Sequence, residues 1–110
     1  MPGQIVRVDA LRSLAAGSIS AVYSPVGAPF SHGMRLVKFV NTTNGNITVS
    51  FDGSTDNDIV PAGGFSLYDL TTNKTLPDTT FVFQASTQVS VKGTPSTGSF
   101  YIVALYGQGD

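Results

Sequence analysis

Closely spaced turn residues divide this chain into short apolar segments, and that spacing most strongly limits what it can fold into. Segments in which apolar and polar residues alternate recur along the chain, separated by glycine, proline, asparagine and aspartate. Period-two alternation is typical of half-buried β-strands, whereas an amphipathic helix repeats every ~3.6 residues. No interval between the segments is long enough for a crossover helix, so the strands should pair antiparallel. The pattern predicts an all-β antiparallel sandwich of about 7–8 short strands, jelly-roll-like or Ig-like.

The clearest alternation lies at residues 46–52, where Ile47, Val49 and Phe51 share one face. Asn44 and Gly45 stand immediately before it, and both residue types accept the positive φ angles of a type I′ turn. A second apolar run covers residues 34–41. The sequence therefore predicts that residues 34–41 and 46–52 form a β-hairpin.

Shorter alternating runs extend this pattern over much of the chain. Further strands are predicted at residues 18–23, 58–60, 65–70, 80–85, 88–92 and 99–106. The phenylalanines at the apolar positions of these runs are expected in the core: Phe39, Phe51, Phe65, Phe81, Phe83 and Phe100.

The first seventeen residues differ from the rest, which suggests an N-terminal arm or edge strand (1–17) preceding a single sandwich domain (18–110). Asp9 could cap a short helix that ends before Gly17. Seven residues are too few to hold a helix alone, so the extended interpretation is preferred.

The composition argues against several classes of partner. The chain has no cysteine, no glutamate and a net charge of −1. Its three arginines and three lysines are scattered, so no basic stripe predicts nucleic-acid binding. No run reaches the ~18 apolar residues of a membrane span, and the N-terminus has no secretion-signal layout, so we expect a protein made in a cytoplasm that binds no membrane.

Few residues are candidates for catalysis, metal binding or glycosylation. His32 is the single histidine and Asp52, Asp56 and Asp58 form one acidic loop. A lone histidine without cysteines is a poor zinc or triad candidate. The acidic loop lacks the EF-hand spacing, so turn chemistry is favoured over calcium. Matches to the N-glycosylation pattern at Asn41, Asn46 and Asn73 are expected by chance. The sequence predicts a non-enzymatic protein with no cofactor or metal.

The last predicted strand is apolar on both faces. Phe100, Ile102, Ala104 and Tyr106 occupy one face, which leaves the side chains of Tyr101, Val103 and Leu105 on the other. A strand of this kind is covered on both sides or contributes to a subunit interface.

The arm could supply such a cover in a neighbouring copy. Ile5, Val6 and Val8 lie in an alternating segment at the chain end, where they could add to a neighbour's sheet edge. We therefore predict an interface formed by Ile5, Val6, Val8, Tyr101, Val103 and Leu105, in a homo-oligomer that we expect to be a trimer.

Several runs resemble a group of small structural proteins of tailed bacteriophages. They are residues 11–14 (LRSL), 17–20 (GSIS), 38–53 (KFVNTTNGNITVSFDG), 56–61 (DNDIVP), 65–70 (FSLYDL), and an ending from Lys92-Gly93 through residues 98–106 (GSFYIVALY). The resemblance spans about residues 11–106, and it implies a virion component with a β-sandwich fold. It carries no catalytic residues.

These observations predict a virion structural protein that binds assembled capsid, neck or tail proteins in a decoration, cement or adaptor role. The alternative is a host-surface glycan-binding module of a tail or head fibre. Glycan sites usually present exposed aromatic rings, and this chain has four tyrosines and no tryptophan.

Overall fold

The structure, a computed structural model, describes residues 4–70 and 83–109. Two antiparallel sheets contain nearly half of these residues, and the predicted all-β sandwich is confirmed. The strands are β1 (Gln4–Val8), β2 (Arg12–Ala15), β3 (Ser24–Pro25), β4 (Leu36–Asn41), β5 (Ile47–Ser50), β6 (Asp58–Val60), β7 (Phe65–Asp69), β8 (Ser90–Lys92) and β9 (Ser99–Gly109). One 3₁₀ turn covers Ala16–Ser18.

The strand order is that of a jelly roll. The first sheet, sheet A, has the order β1-β9-β4-β7 with β2 also on β9, and sheet B has the order β3-β8-β5-β6. The pairs are nested: β1 and β2 with β9, β3 with β8, β4 with β7, and β5 with β6. Rolling such a nested antiparallel ribbon into two sheets gives the double Greek key of a jelly roll.

The core lies between the two sheets and contains aliphatic and aromatic side chains from both. Val37, Phe39, Phe100, Ile102 and Ala104 enter it from sheet A, while Ile47, Val49, Val60, Val89 and Val91 enter from the other side. Val26, Phe30 and Met34 are also buried in this core. Phe39 contacts the rings of Phe51, Tyr68 and Phe100 at centroid distances of 5.7–5.8 Å.

The N-terminal segment forms two strands on one edge of sheet A, and residues 9–17 contain no α-helix. Val8 is opposite Leu105 and Arg12 is opposite Ile102. Three residues therefore lie between Val8 and Arg12, whereas only two lie between Ile102 and Leu105 on β9. This is a β-bulge, which bends the strand and interrupts its pairing.

The predicted hairpin of residues 34–41 and 46–52 is wrong. β4 lies in sheet A and β5 lies in sheet B, so the segment between them crosses from one sheet to the other. A type I′ turn needs positive φ at both central residues, and neither Asn44 nor Gly45 has it.

The buried side chain of Asn41 explains this crossing. Its Nδ2 donates to the carbonyls of Gly45 (2.9 Å), Val60 (2.9 Å) and Pro61 (3.1 Å). Its Oδ1 accepts from the backbone N–H of Thr43 (2.9 Å). Asn41 thus holds the crossing segment against the end of β6, which a two-residue turn between paired strands would not allow.

The predicted inward position of Phe65 is also wrong. Phe65 and Leu67 are 65% and 52% exposed, and the opposite side of β7 presents Ser66 and Tyr68 to the interior. The aromatic side chain that β7 directs inward is therefore Tyr68, whose ring packs on Phe39 and whose hydroxyl donates to Asp58 at 2.7 Å.

Two further strand predictions need correction or lie outside the described residues. Ser18 ends the 3₁₀ turn and residues 19–23 are irregular in place of the predicted strand; Ile19 is buried in the core, while Val22 is 70% exposed. In the predicted strand 80–85, residues 80–82, and with them Phe81, lie outside the described residues. The N-glycosylation pattern at Asn73 lies outside them as well. Phe83 is described and pairs with Met34 in an isolated bridge.

Candidate interaction surface

The outer side of sheet A carries a mostly apolar surface, here named the A face. Register pairs place its side chains in cross-strand rows, because directly opposed residues share a face. One row holds Val8, Leu105 and Leu36, and the next rows hold Val103 with Leu67 and Tyr101 with Val40 and Phe65. Val6, opposite Gly107, continues the surface along β1. Lys38 and Asp69 lie among these positions and are the charged members of the A face.

Solvent reaches much of this apolar surface. Val6 is 64% exposed and Val8 is 69% exposed, while Phe65 and Leu67 are also more than half exposed. Tyr101, Val103 and Leu105 are half-buried, since they lie in the middle of the sheet between flanking strands. A group of large exposed apolar side chains on one side of a sheet often marks a binding site.

The structure brings five of the six predicted interface residues onto the A face. Val6, Val8, Tyr101, Val103 and Leu105 are all there. Ile5 lies in β1 opposite Gln108.

Sequence reasoning missed four members of the surface: Leu36, Val40, Phe65 and Leu67. The available signal was the doubly apolar run of residues 36–40, which resembles that of β9. Since β4 pairs with β9 at the centre of sheet A, both strands have an outward apolar side.

The outer side of sheet B is more polar, although Ile59, opposite Thr48, is 59% exposed there. Tyr23 donates a hydrogen bond to Asp56, and Lys92 Nζ lies 3.0 Å from the same carboxylate and 4.7 Å from the centroid of the Tyr23 ring. The hydrogen bond from Tyr23 and the contact with Lys92 lower the pKa of Asp56. Partial burial and the bond to Asp56 raise the pKa of Tyr23 to about 12.

Asp52 organises the loop that connects β5 and β6. Its Oδ1 accepts from the backbone N–H groups of Ser54 (2.9 Å) and Thr55 (2.7 Å), and its Oδ2 accepts from Thr55 Oγ1 (2.8 Å). Ser50 Oγ also donates to Oδ1 at 2.8 Å. These donors favour the ionised carboxylate and hold the pKa of Asp52 well below its usual range.

The other candidate residues have contacts within the protein. Asp58 accepts from the Tyr68 hydroxyl at 2.7 Å, so the three aspartates of the acidic loop have different partners. Among residues 4–70 and 83–109, no cluster of three or more acidic, histidine or cysteine side chains is positioned to hold a metal. His32 is exposed and stacks on Tyr106, with ring centroids 3.9 Å apart. No helix in the described part of the chain could cross a membrane.

Comparisons with known proteins add a similarity of fold. No family model matches the sequence, and no curated protein matches it. The chain is similar in structure to a protein of Bacillus endospore appendages, which are described as a novel family of disulfide-linked pili. The TM-score is 0.52 at 17% identity, over 94% of this chain and 89% of that one. At this identity the likeness concerns the fold alone.

Proposed function

We propose that this chain is a non-enzymatic structural subunit of a tailed-phage virion, and that it binds neighbouring virion proteins and its own copies through the A face. The observation that carries the proposal is the contrast between the two sheets. The outer side of sheet A is mostly apolar across β1, β9, β4 and β7, whereas the outer side of sheet B carries the Tyr23–Asp56–Lys92 cluster.

The size of the A face fits a protein contact. An aromatic side chain buries roughly 150–250 Å², and Phe65 is 65% exposed. Together with the other exposed members, the A face offers several hundred Å² of apolar surface, the order of magnitude that each partner loses in a stable interface of ~800 Å² per side. Covering it would remove that apolar surface from water, which drives association.

Two further observations support a structural role in a particle. The runs of residues 38–53 and 98–106 resemble small phage structural proteins, and jelly rolls are common in viral capsid domains. Charged residues make up 12% of the chain against a usual ~25%. Few charges then have to lose water at subunit contacts. Many copies on a symmetric particle would also gain affinity through multivalency.

Antibody labelling of purified phage particles tests this role. We expect gold label on particles from cells that carry the gene, at repeated positions on the head, neck or tail, and none on particles from a deletion strain. Phe65→Ser/Leu67→Ser protein should be lost from the particles, because both changes make the A face polar.

The matched control is Ile59→Ser/Val22→Ser, which changes two exposed apolar residues (59% and 70%) outside the A face. This variant should be incorporated normally. Absence of the wild-type protein from density-purified particles would contradict the proposed function.

A further inference from the structure

The A face carries two charges of opposite sign close together. Lys38 lies on β4 and Asp69 lies on β7, and both side chains are on the outer side of sheet A. The register places Lys38 opposite Leu67, and Asp69 opposite Leu36. These four residues therefore form the corners of one rectangle, with the charges on one diagonal and the leucines on the other. At ~4.8 Å between strands and ~3.4 Å per residue, the two charged positions are about 8 Å apart.

Lys38 lies in the middle of the sheet, where an occupant of the A face would cover it. It is half-buried, and its neighbour on β9 is Val103. Asp69 is exposed on β7. Taking the Lys38 ammonium group out of water is unfavourable unless the occupant supplies an opposite charge. The occupant should therefore present a carboxylate opposite Lys38, within an otherwise apolar surface.

A second copy of the chain has such a carboxylate at the matching place. In a two-fold contact both copies use the same patch, so that each pair of contacting residues occurs twice. A two-fold axis in the plane between two A faces, midway between Lys38 and Asp69, brings each lysine opposite the partner's aspartate. The same axis passes close to Leu36 and Leu67, so each leucine packs on its own counterpart. The patch is thus complementary to itself in both charge and polarity.

The arrangement that this axis generates is one that sheets are known to adopt. Because the charged diagonal is oblique to the strands, the axis sets the strands of the two copies at about 70° to one another, for ideal strand spacings. Sheets that pack face to face are either nearly aligned or near-orthogonal, and this contact is of the second kind. Leu105, which is opposite Leu36, lies beside the same axis and extends the apolar contact onto β9.

We infer that the A face binds the A face of a second copy in a two-fold contact, with Lys38 of each chain opposite the partner's Asp69. This rests on the proposed function and deepens it, because it names the occupant of the A face and the charges that set its orientation. A contact of this kind closes at two copies, in contrast to the trimer expected from the sequence.

Charge reversal tests the pairing, because a two-fold contact has a distinctive consequence for mixtures. Lys38→Asp would oppose two aspartates, and Asp69→Lys would oppose two lysines. Each variant alone should associate at least about tenfold more weakly than the wild type, because opposed like charges disfavour a contact. An equimolar mixture of the two should recover association, because every contact between them joins unlike charges. The double variant Lys38→Asp/Asp69→Lys should also associate like the wild type.

Sedimentation velocity measures association of these samples, and melting of dilute protein checks that each variant is folded. The matched control reverses charges outside the A face, at Lys92 and Asp56, which form an ion pair within one chain at 3.0 Å. Lys92→Asp and Asp56→Lys should associate like the wild type, both alone and mixed.

Chemical cross-linking tests the contact in the wild type, and it decides the question if either A-face charge variant melts below the wild type. A carbodiimide joins a lysine amine directly to a carboxylate. A mixture of unlabelled and heavy-isotope chains distinguishes links between copies from links within one copy. We expect mixed-isotope peptide pairs that contain Lys38 and Asp69.

Several outcomes would overturn the inference. They are folded single variants that associate as strongly as the wild type, a mixture that associates no better than its components, or Lys38–Asp69 links found within single chains alone. In each case assembly through the A face would stand if Phe65→Ser/Leu67→Ser still abolished it. A wild type that stays monomeric would contradict both the inference and self-assembly, whereas antibody labelling separately tests the virion role.

Discussion

Asn41 shows how one side chain directs the path of the chain between sheets. It is 1% exposed, and its amide group bonds the crossing segment and the carbonyls of Val60 and Pro61. An asparagine amide supplies two donors and an acceptor, which an apolar residue of the same size would lack. The corner therefore depends on this residue type.

Asn41→Ala should lower the free energy of unfolding by at least about 2 kcal/mol, because buried carbonyls left without a donor cost ~1–3 kcal/mol each. Asn44→Ala is the matched control. Asn44 is exposed; its Nδ2 donates to Ser96 Oγ (2.8 Å) and its Oδ1 accepts from the N–H groups of Ser96 (2.9 Å) and Thr97 (3.3 Å). Because water can replace exposed partners, the Asn44 variant should lose less stability than the Asn41 variant. Urea denaturation of both variants measures the difference. Equal losses would contradict the special role of Asn41.

The acidic loop predicts a pH dependence. The pKa of Asp52 is lower in the folded protein than the ordinary value of 3.8, so the folded state favours the ionised form. The resulting stabilisation is present above the unfolded pKa and is lost as the pH falls through the folded pKa.

The melting temperature of the wild type should fall below about pH 4. Asp52→Asn should melt lower at pH 7 and show a shallower acid decline, so that the two curves draw closer as the pH falls from 4 toward 2. Parallel curves for the two proteins from pH 7 to pH 2 would show that Asp52 contributes no pH-dependent stability.

At the scale of strands, much of the fold could be predicted from the period-two pattern. The pattern located β4, β5, β6, β7, β8 and β9 to within a few residues. It could not say which strands pair, since pairing depends on contacts distant in sequence. The Asn-Gly signal indicated a local turn, whereas the Asn41 bonds to Val60 and Pro61 decide where the chain goes.

The interface prediction had a similar limit. Because β9 is apolar on both faces, the sequence predicted Tyr101, Val103 and Leu105 as interface residues. Phe65 and Leu67 were missed because alternation alone does not say which side of a strand faces inward. In β7 the inward side carries Tyr68, whose hydroxyl needs Asp58, and that partner cannot be identified from local sequence.

Replacing a phenylalanine by alanine should reduce the stability of the protein much more on the inner side of sheet A than on its outer side. Phe39→Ala empties a fully buried site and should reduce the free energy of unfolding by about 3–5 kcal/mol. Phe65→Ala should change it by no more than about 0.5 kcal/mol at concentrations where the protein is monomeric, because exposed positions contribute little. Chemical denaturation of dilute protein measures both. A large loss from Phe65→Ala would contradict the outward assignment of this side chain.

At the scale of the whole molecule, the two sheets have different roles in our account. The outer side of sheet B is mostly polar and includes the contacts of Asp56 with Tyr23 and Lys92, although Ile59 is also exposed there. Sheet A shares the same core but presents the A face to solvent. A sandwich with one polar and one apolar outer side is suited to lie on, or between, other protein surfaces.

The molecule is also elongated, with extents of 50 × 23 × 21 Å. Residues 106–109 of β9, paired with residues 4–7 of β1, lengthen sheet A beyond Leu36, where β4 begins.

Sedimentation velocity on the isolated protein tests the role of the A face most directly. We predict concentration-dependent oligomers for the wild type and for Ile59→Ser/Val22→Ser, and a marked shift toward monomer for Phe65→Ser/Leu67→Ser. All three proteins should have similar melting temperatures when dilute, because each substituted residue is more than half exposed. An A-face variant that associates as strongly as the wild type, or a wild type that remains monomeric at every concentration, would contradict the account.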